Sequence, residues 1–129
     1  MDLAPFLPGR WTVTRRVTGS ERARFDGEVT FEPDGDALLS VEAGWLRTGG
    51  LRVEATRRLR CHLDGPCPRV TFADGRPFHE IAPDGTARHW CDPDLYEGRY
   101  RWGAARWSLA WRVTGPRKRL VIVSRMTRA

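Results

Sequence analysis

Apolar and polar residues alternate with a period of two through most of this chain, in short runs separated by turn-forming residues. A strand sends successive side chains to opposite faces, so such a run buries one face and wets the other. Trp11, Val13, Arg15 and Val17 alternate with Arg10, Thr12, Thr14 and Arg16, and Phe25, Gly27, Val29 and Phe31 with Asp26, Glu28, Thr30 and Glu32. A strand follows at about 37–46. Leu51, Val53, Ala55, Arg57 and Leu59 then form one face of a long strand running to Cys61. Short strands are expected at 69–73, 76–82 and 86–91, and another from Tyr96 to Trp102. Ala105, Trp107, Leu109, Trp111 and Val113 make the strongest alternation, and a last strand spans about Lys118 to Met126. Between most runs stand turn signals such as Pro33-Asp34-Gly35, Gly49-Gly50, Pro83-Asp84-Gly85 and Gly115-Pro116, where Pro presets φ and Gly accepts positive φ. No 3.6-residue stripe reaches helical length.

Nine or ten antiparallel strands at close spacing predict an all-β protein, a single antiparallel up-and-down β-barrel behind a short N-terminal lead-in. Closure removes the exposed edges that an open sheet would leave. At 129 residues the chain has the size of one domain, residues 1–129. Six tryptophans are many for this length, and each large ring needs an apolar wall. A substantial core or an aromatic-lined cavity is implied.

The net charge is +6, and Lys118 is the only lysine among 22 basic residues. The arginines are dispersed along the chain, whereas nucleic-acid-binding proteins concentrate charge on one face or helix. Attraction to anions is expected, and a specific nucleic-acid partner is not. Cys61, Cys67 and Cys91 are an odd number, the N-terminus has no basic and apolar leader, and no apolar run could span a bilayer. These features fit a reduced, cytoplasmic protein with free thiols and no membrane partner, as a monomer or homodimer.

Gly9-x-Trp11 on the first strand, preceded by Leu3, Pro5, Phe6 and Leu7, resembles the opening of lipocalins and their calycin relatives. That resemblance implies a tryptophan plugging the closed end of the barrel and an arginine of the last strand stacked upon it. Arg125 is the expected partner, with Arg119 as second choice. Gly9, Trp11 and Arg125 are therefore the structural candidates. Three later segments, Phe72-Ala73-Asp74-Gly75-Arg76-Pro77-Phe78-His79, His89-Trp90-Cys91-x-x-Asp94-x-Tyr96-x-Gly98-x-Tyr100 and Trp111-Arg112-Val113-x-Gly115-Pro116-Arg117-Lys118, are similar to a family of short stand-alone bacterial proteins carrying a domain of unknown function. This second resemblance spans nearly the whole chain and implies the fold without a chemistry.

The candidate chemistry centres on the hairpin from His79 to Cys91. A three-residue loop at Pro83-Asp84-Gly85 would set His79 directly opposite His89, with Cβ atoms about 4.5–5.5 Å apart and Cys91 on the same face. Two imidazoles and a thiol on one wall could hold a zinc or copper ion, or haem through His79 or His89. They could equally act in acid–base chemistry near neutral pH. A two-residue loop at Asp84-Gly85 would instead put the histidines on opposite faces. Tyr96 and Tyr100 follow at once, each with an apolar ring and a hydroxyl tip suited to a polar ligand. Trp107 and Trp111 share one face and either fill the core or line a cavity. Glu42 and Arg57 stand in apolar strands; pointing inward they must pair, and exposure at a barrel rim is the simpler expectation. No phosphate loop, nucleophile elbow or helical His-Glu-x-x-His occurs. The leading expectation is a small-molecule-binding barrel whose ligand is aromatic or anionic. The alternatives are a small isomerase, cyclase or hydratase using His79, His89, Tyr96 and Tyr100, or a carrier of haem or metal.

Overall fold

A computed structural model describes residues 1–129. A one-turn helix, α1 (Leu3–Phe6), precedes ten strands: β1 (Gly9–Gly19), β2 (Ala23–Asp34), β3 (Ala37–Thr48), β4 (Leu51–His62), β5 (Arg69–Phe72), β6 (Pro77–Glu80), β7 (Thr86–Cys91), β8 (Asp94–Trp102), β9 (Arg106–Thr114) and β10 (Arg119–Arg128). They form one antiparallel sheet in the order β6-β5-β4-β3-β2-β1-β10-β9-β8-β7. The sheet curls until β6 and β7 are neighbours, giving an all-β, nearly closed antiparallel barrel. The inner faces are those the alternation marks: Trp11 and Val13, Phe25, Val29 and Phe31, and Trp111 and Val113 are buried in one core.

Curvature has an identifiable source. Gly27 of β2 faces Gly44 of β3 in register, and a Cβ on either would strike the opposing backbone. The missing side chains let two long strands bend sharply around the core. Opposite them, Gly98 of β8 leaves its inner face to the Trp111 ring of the neighbouring strand.

One end is plugged. The Trp11 indole is fully buried and donates its Nε1–H to the Leu7 carbonyl at 2.9 Å. The Arg128 guanidinium covers that ring at 3.8 Å and donates to the carbonyls of Pro8 and Phe6 at 3.0 and 2.7 Å, tying α1 down. Gly9, with φ +114, leaves the space into which Arg128 reaches. Arg125 is not the stacking residue. The last strand runs two residues beyond Met126, so Arg128 lies opposite Trp11, whereas Arg125 lies opposite Thr14 on the outer face.

The other correction concerns the hairpin from His79 to Cys91. The Ala82 N–H bonds to the Thr86 carbonyl at 2.9 Å, which is the register of the three-residue loop. Beyond that bond the two strands part, β6 pairing with β5 and β7 with β8. A line without ladder bonds therefore runs up the wall between β6 and β7. The wall is also incomplete beside β4, because β5 pairs only with Leu59–His62.

Candidate functional site

Inside the barrel lies a cavity of about 80 Å³, room for a few waters and about half the roughly 150 Å³ that admits a benzene ring, so a flat organic guest has to open the wall. Its polar wall begins with Arg15, an inward position of β1. The guanidinium grips the Glu42 carboxylate through two bonds of 2.8 and 2.7 Å, and its Nε donates to Ser124 Oγ at 2.7 Å. Arg57 approaches the same carboxylate at 3.7 Å while about 45% of its side chain stays open to solvent. Arg15 spends three of its five N–H groups on Glu42 and Ser124, whereas the Arg57 guanidinium makes no hydrogen bond within the chain and has the most capacity to spare.

Burial works to raise the Glu42 pKa, but the Arg15 hydrogen bonds and the charges of Arg57 and Arg15 outweigh it, so the carboxyl titrates below its usual value. Glu42 is thus ionised at neutral pH. Arg60, also in the cavity wall, is matched by Asp34 at 3.0 Å. Arg15 and Arg57 against Glu42 leave one positive charge in excess, carried by Arg57 at the solvent-facing edge of the cavity.

The facing wall is aromatic. His79 Nε2 and the Tyr100 hydroxyl share a hydrogen bond of 2.7 Å, both residues being buried. Burial, with help from His89 and Arg57, pushes the His79 pKa down from 6.5 to about 4. Burial raises that of Tyr100, with Cys61 adding to the rise and Arg57 opposing it. Both groups are therefore neutral at pH 7. His79 Nδ1 and Trp107 Nε1 are buried and lack any hydrogen-bond partner. Since buried polar atoms are satisfied in nearly all native proteins, by protein groups or by ordered water, these two atoms are the points at which whatever fills the cavity can be held by hydrogen bonds. Phe78 stacks with Phe72 at 4.7 Å and 15° and with Trp111 at 5.7 Å and 17°, so that wall is a pile of aromatic rings.

The structure thus gathers His79, Tyr100, Trp107, Trp111, Glu42 and Arg57 around one space. Glu42 is buried, which corrects the expectation of a rim position, while Arg57 spans rim and interior. His89 is not in this wall. It stands half-buried behind Phe78, whose ring meets His79 at 4.4 Å and His89 at 4.9 Å. Tyr96 keeps company with His89 at 5.7 Å. Cys91 is exposed at the end of β7, opposite Asp94. The proposed ligand trio of His79, His89 and Cys91 does not assemble, and no three His, Cys, Asp or Glu side chains lie close enough to hold a metal ion. Cys61 is buried, and burial lifts its thiol to about 11, leaving it inert.

Three contributors escaped the sequence reading: Arg15, Ser124 and Phe78. The signal for Arg15 was available, since a charge in the inward series Trp11, Val13, Arg15, Val17 must find a buried partner. Phe78 was hidden by a register shift in the β5–β6 pair, which lets Phe78 and His79 both serve the interior.

This barrel with its plugged end and polar interior matches a known family over residues 7–128. The chain belongs to DUF6314, a family of unknown function. No curated protein matches it. Among solved structures, this chain is similar to a phycobiliprotein lyase of the S type from Guillardia theta, with TM-score 0.66 and 11% identity, over 100% of this chain and 93% of the other. It is also similar to a de novo designed fluorescence-activating β-barrel, with TM-score 0.57 and 15% identity, over 100% and 99% of the two chains. At these identities the likeness is one of fold.

Proposed function

We propose that residues 1–129 form one barrel domain that binds a compact organic acid with a flat apolar body. The observation that carries this reading is the imbalance of charge in the cavity, two guanidiniums facing one carboxylate, beside stacked aromatic rings. A carboxylate on the ligand would take the free edge of Arg57 and cancel the excess charge. Its apolar body would lie against the aromatic wall that Phe78, Trp107 and Trp111 present to the cavity, and an acceptor atom would meet the unpartnered Trp107 N–H. The two solved barrels, one named for activating fluorescence and one for a lyase of phycobiliproteins, support a ligand-holding use of such a fold by analogy alone. Three free cysteines suit a reducing, cytoplasmic setting.

The test is native mass spectrometry of freshly purified protein, followed by titration with small aromatic carboxylates and their neutral amides, read by tryptophan fluorescence. Carboxylates should bind more tightly than amides, and Arg57→Gln should weaken the carboxylates alone by about tenfold or more, the worth of a hydrogen bond to a charged group. Equal affinity for acid and amide in the unchanged protein would refute the reading.

A second reading, acid–base chemistry on the bound ligand, is favoured by the 2.7 Å bond between His79 and Tyr100. Burial makes His79 a weak base and Tyr100 a weak acid. In that reading the Tyr100 hydroxyl, held by the His79 Nε2–H, keeps its proton and polarises the ligand through a hydrogen bond. The proton exchanged at the ligand comes from and returns to water. Solvent deuterium entering a bound ligand, and lost in Tyr100→Phe, would establish this reading; an unlabelled ligand would exclude it.

A further inference from the structure

The first eight residues of β4, positions 51–58, have β3 on one side and no strand on the other, since β5 begins its pairing at Leu59. No backbone hydrogen bond from a turn or loop covers the stretch either. Its inner face is apolar and open to solvent: Leu51 is 66% exposed and Val53 45%. A long uncapped edge of this kind is a template for another strand.

Which backbone groups are free follows from the turn. Gly49 and Gly50 both have positive φ and connect Thr48 directly to Leu51, the geometry of a tight two-residue hairpin in which the closing residues exchange hydrogen bonds. From there the pattern alternates. Leu51, Val53, Ala55 and Arg57 bond to β3, and the N–H and C=O groups of Arg52, Glu54, Thr56 and Arg58 turn to the open side.

We propose that this edge pairs with the same edge of a second copy of the chain, antiparallel, across a two-fold axis at Val53. In that register Arg52 lies opposite the partner's Glu54, and Glu54 opposite the partner's Arg52. These are the residues whose backbone groups are free, so each pair forms both ladder bonds and an ion pair on the outer face. On the inner face Val53 meets its own counterpart and Leu51 meets the partner's Ala55, which covers the exposed apolar residues. A one-residue slip of the two strands would set inner residues against outer ones. An axis at Glu54 opposes two carboxylates, and one at Ala55 sets Arg52 against the partner's Arg58. An axis at Thr56 leaves Leu51 and Val53 bare.

Arg52 supplies an independent reason. Its cross-strand neighbours form an unbroken outer row of arginines, Arg16, Arg24, Arg47 and Arg52. Like charges directly opposite one another destabilise a sheet. Within the chain only Arg24 of that row has a carboxylate partner, Asp26 at 2.9 Å. The guanidinium of Arg52 rests on the Trp45 ring at 3.8 Å, at the end of the row where a partner's Glu54 would arrive.

The experiment is light scattering behind a sizing column, with native mass spectrometry, on the full chain and three variants. The unchanged protein should run at twice 14.7 kDa. Glu54→Arg, a change at an exposed position, should halve the mass and leave the circular dichroism spectrum unaltered. Adding Arg52→Glu to that variant should restore the dimer, because the pairs re-form with reversed polarity. Val53→Asp, which sets two carboxylates on the axis, should also be monomeric. A monomeric unchanged protein, a dimeric Glu54→Arg, or failure of the charge-reversed double variant to reassociate would each overturn the proposal. A strand from an unrelated protein on this edge would appear as the first of these outcomes.

Discussion

His79 is the residue whose environment departs furthest from water among the histidines. It sits neutral inside the barrel because charging it there costs more than charging it in an unfolded chain. Its folded pKa, about 4, lies below the unfolded 6.5, so between those values the unfolded state holds the extra proton. Stability is then complete above pH 6.5 and falls as the pH drops toward 4. At about 1.4 kcal/mol for each pH unit the gap amounts to about 3 kcal/mol. Urea titrations at a series of pH values should show this decline, and His79→Gln should flatten it between pH 6.5 and 5. Glu42 acts in the same sense lower down: its depressed pKa contributes stability above the usual carboxyl range that is lost as acid titrates it. A flat profile from pH 7 to 5 in the unchanged protein would contradict the buried, neutral imidazole.

Among the elements, α1 and β10 show what one arginine can do. Four residues of helix cannot hold themselves; α1 stays in place because Leu3 and Leu7 are buried and Arg128 bonds the Phe6 and Pro8 carbonyls from above Trp11. Arg128→Ala should therefore lower unfolding stability by about 1–3 kcal/mol through a lost cation–π contact and two charged hydrogen bonds. Arg125→Ala, on the outer face, should stay within about 0.5 kcal/mol. Equal effects would mean that the plug is held by other contacts. The strand pattern was readable at this scale because alternation states which face is inside, and Trp11, Phe25, Val29 and Trp111 were placed correctly by parity alone. The end of β10 was not readable: Arg128 falls in the polar tail Thr127-Arg128-Ala129, where nothing apolar marks the face. Nor was the parting of β6 from β7, since a turn sequence fixes its first bond and carries no information on whether the strands then stay together.

Across the whole molecule, Glu42 of β3 joins Arg15 of β1, which holds Ser124 of β10, and meets Arg57 of β4. One carboxylate thus links four strands through the interior. Removing its charge leaves the half-buried Arg15 without a counter-ion, and Glu42→Gln should cost about 3 kcal/mol, measured by chemical denaturation. A loss under about 1 kcal/mol would show that water takes over the role of the carboxylate. Alternation revealed that Glu42 and Arg57 share the cavity's neighbourhood only if both point inward, and sequence distance hid the third member, 27 residues from Glu42.

The unladdered line between β6 and β7 gives the barrel a direction of greatest compliance. Between any two paired strands, widening the interior breaks a row of backbone bonds, whereas along this line only side-chain contacts hold the wall: the rings of Phe78, His79 and His89 and the His79–Tyr100 hydrogen bond. An occupant too bulky for the resting cavity would swell the protein along that meridian, which borders the aromatic wall. Tolerance for guest size is therefore one-sided, and the imidazole that reports on the interior sits on the border that moves.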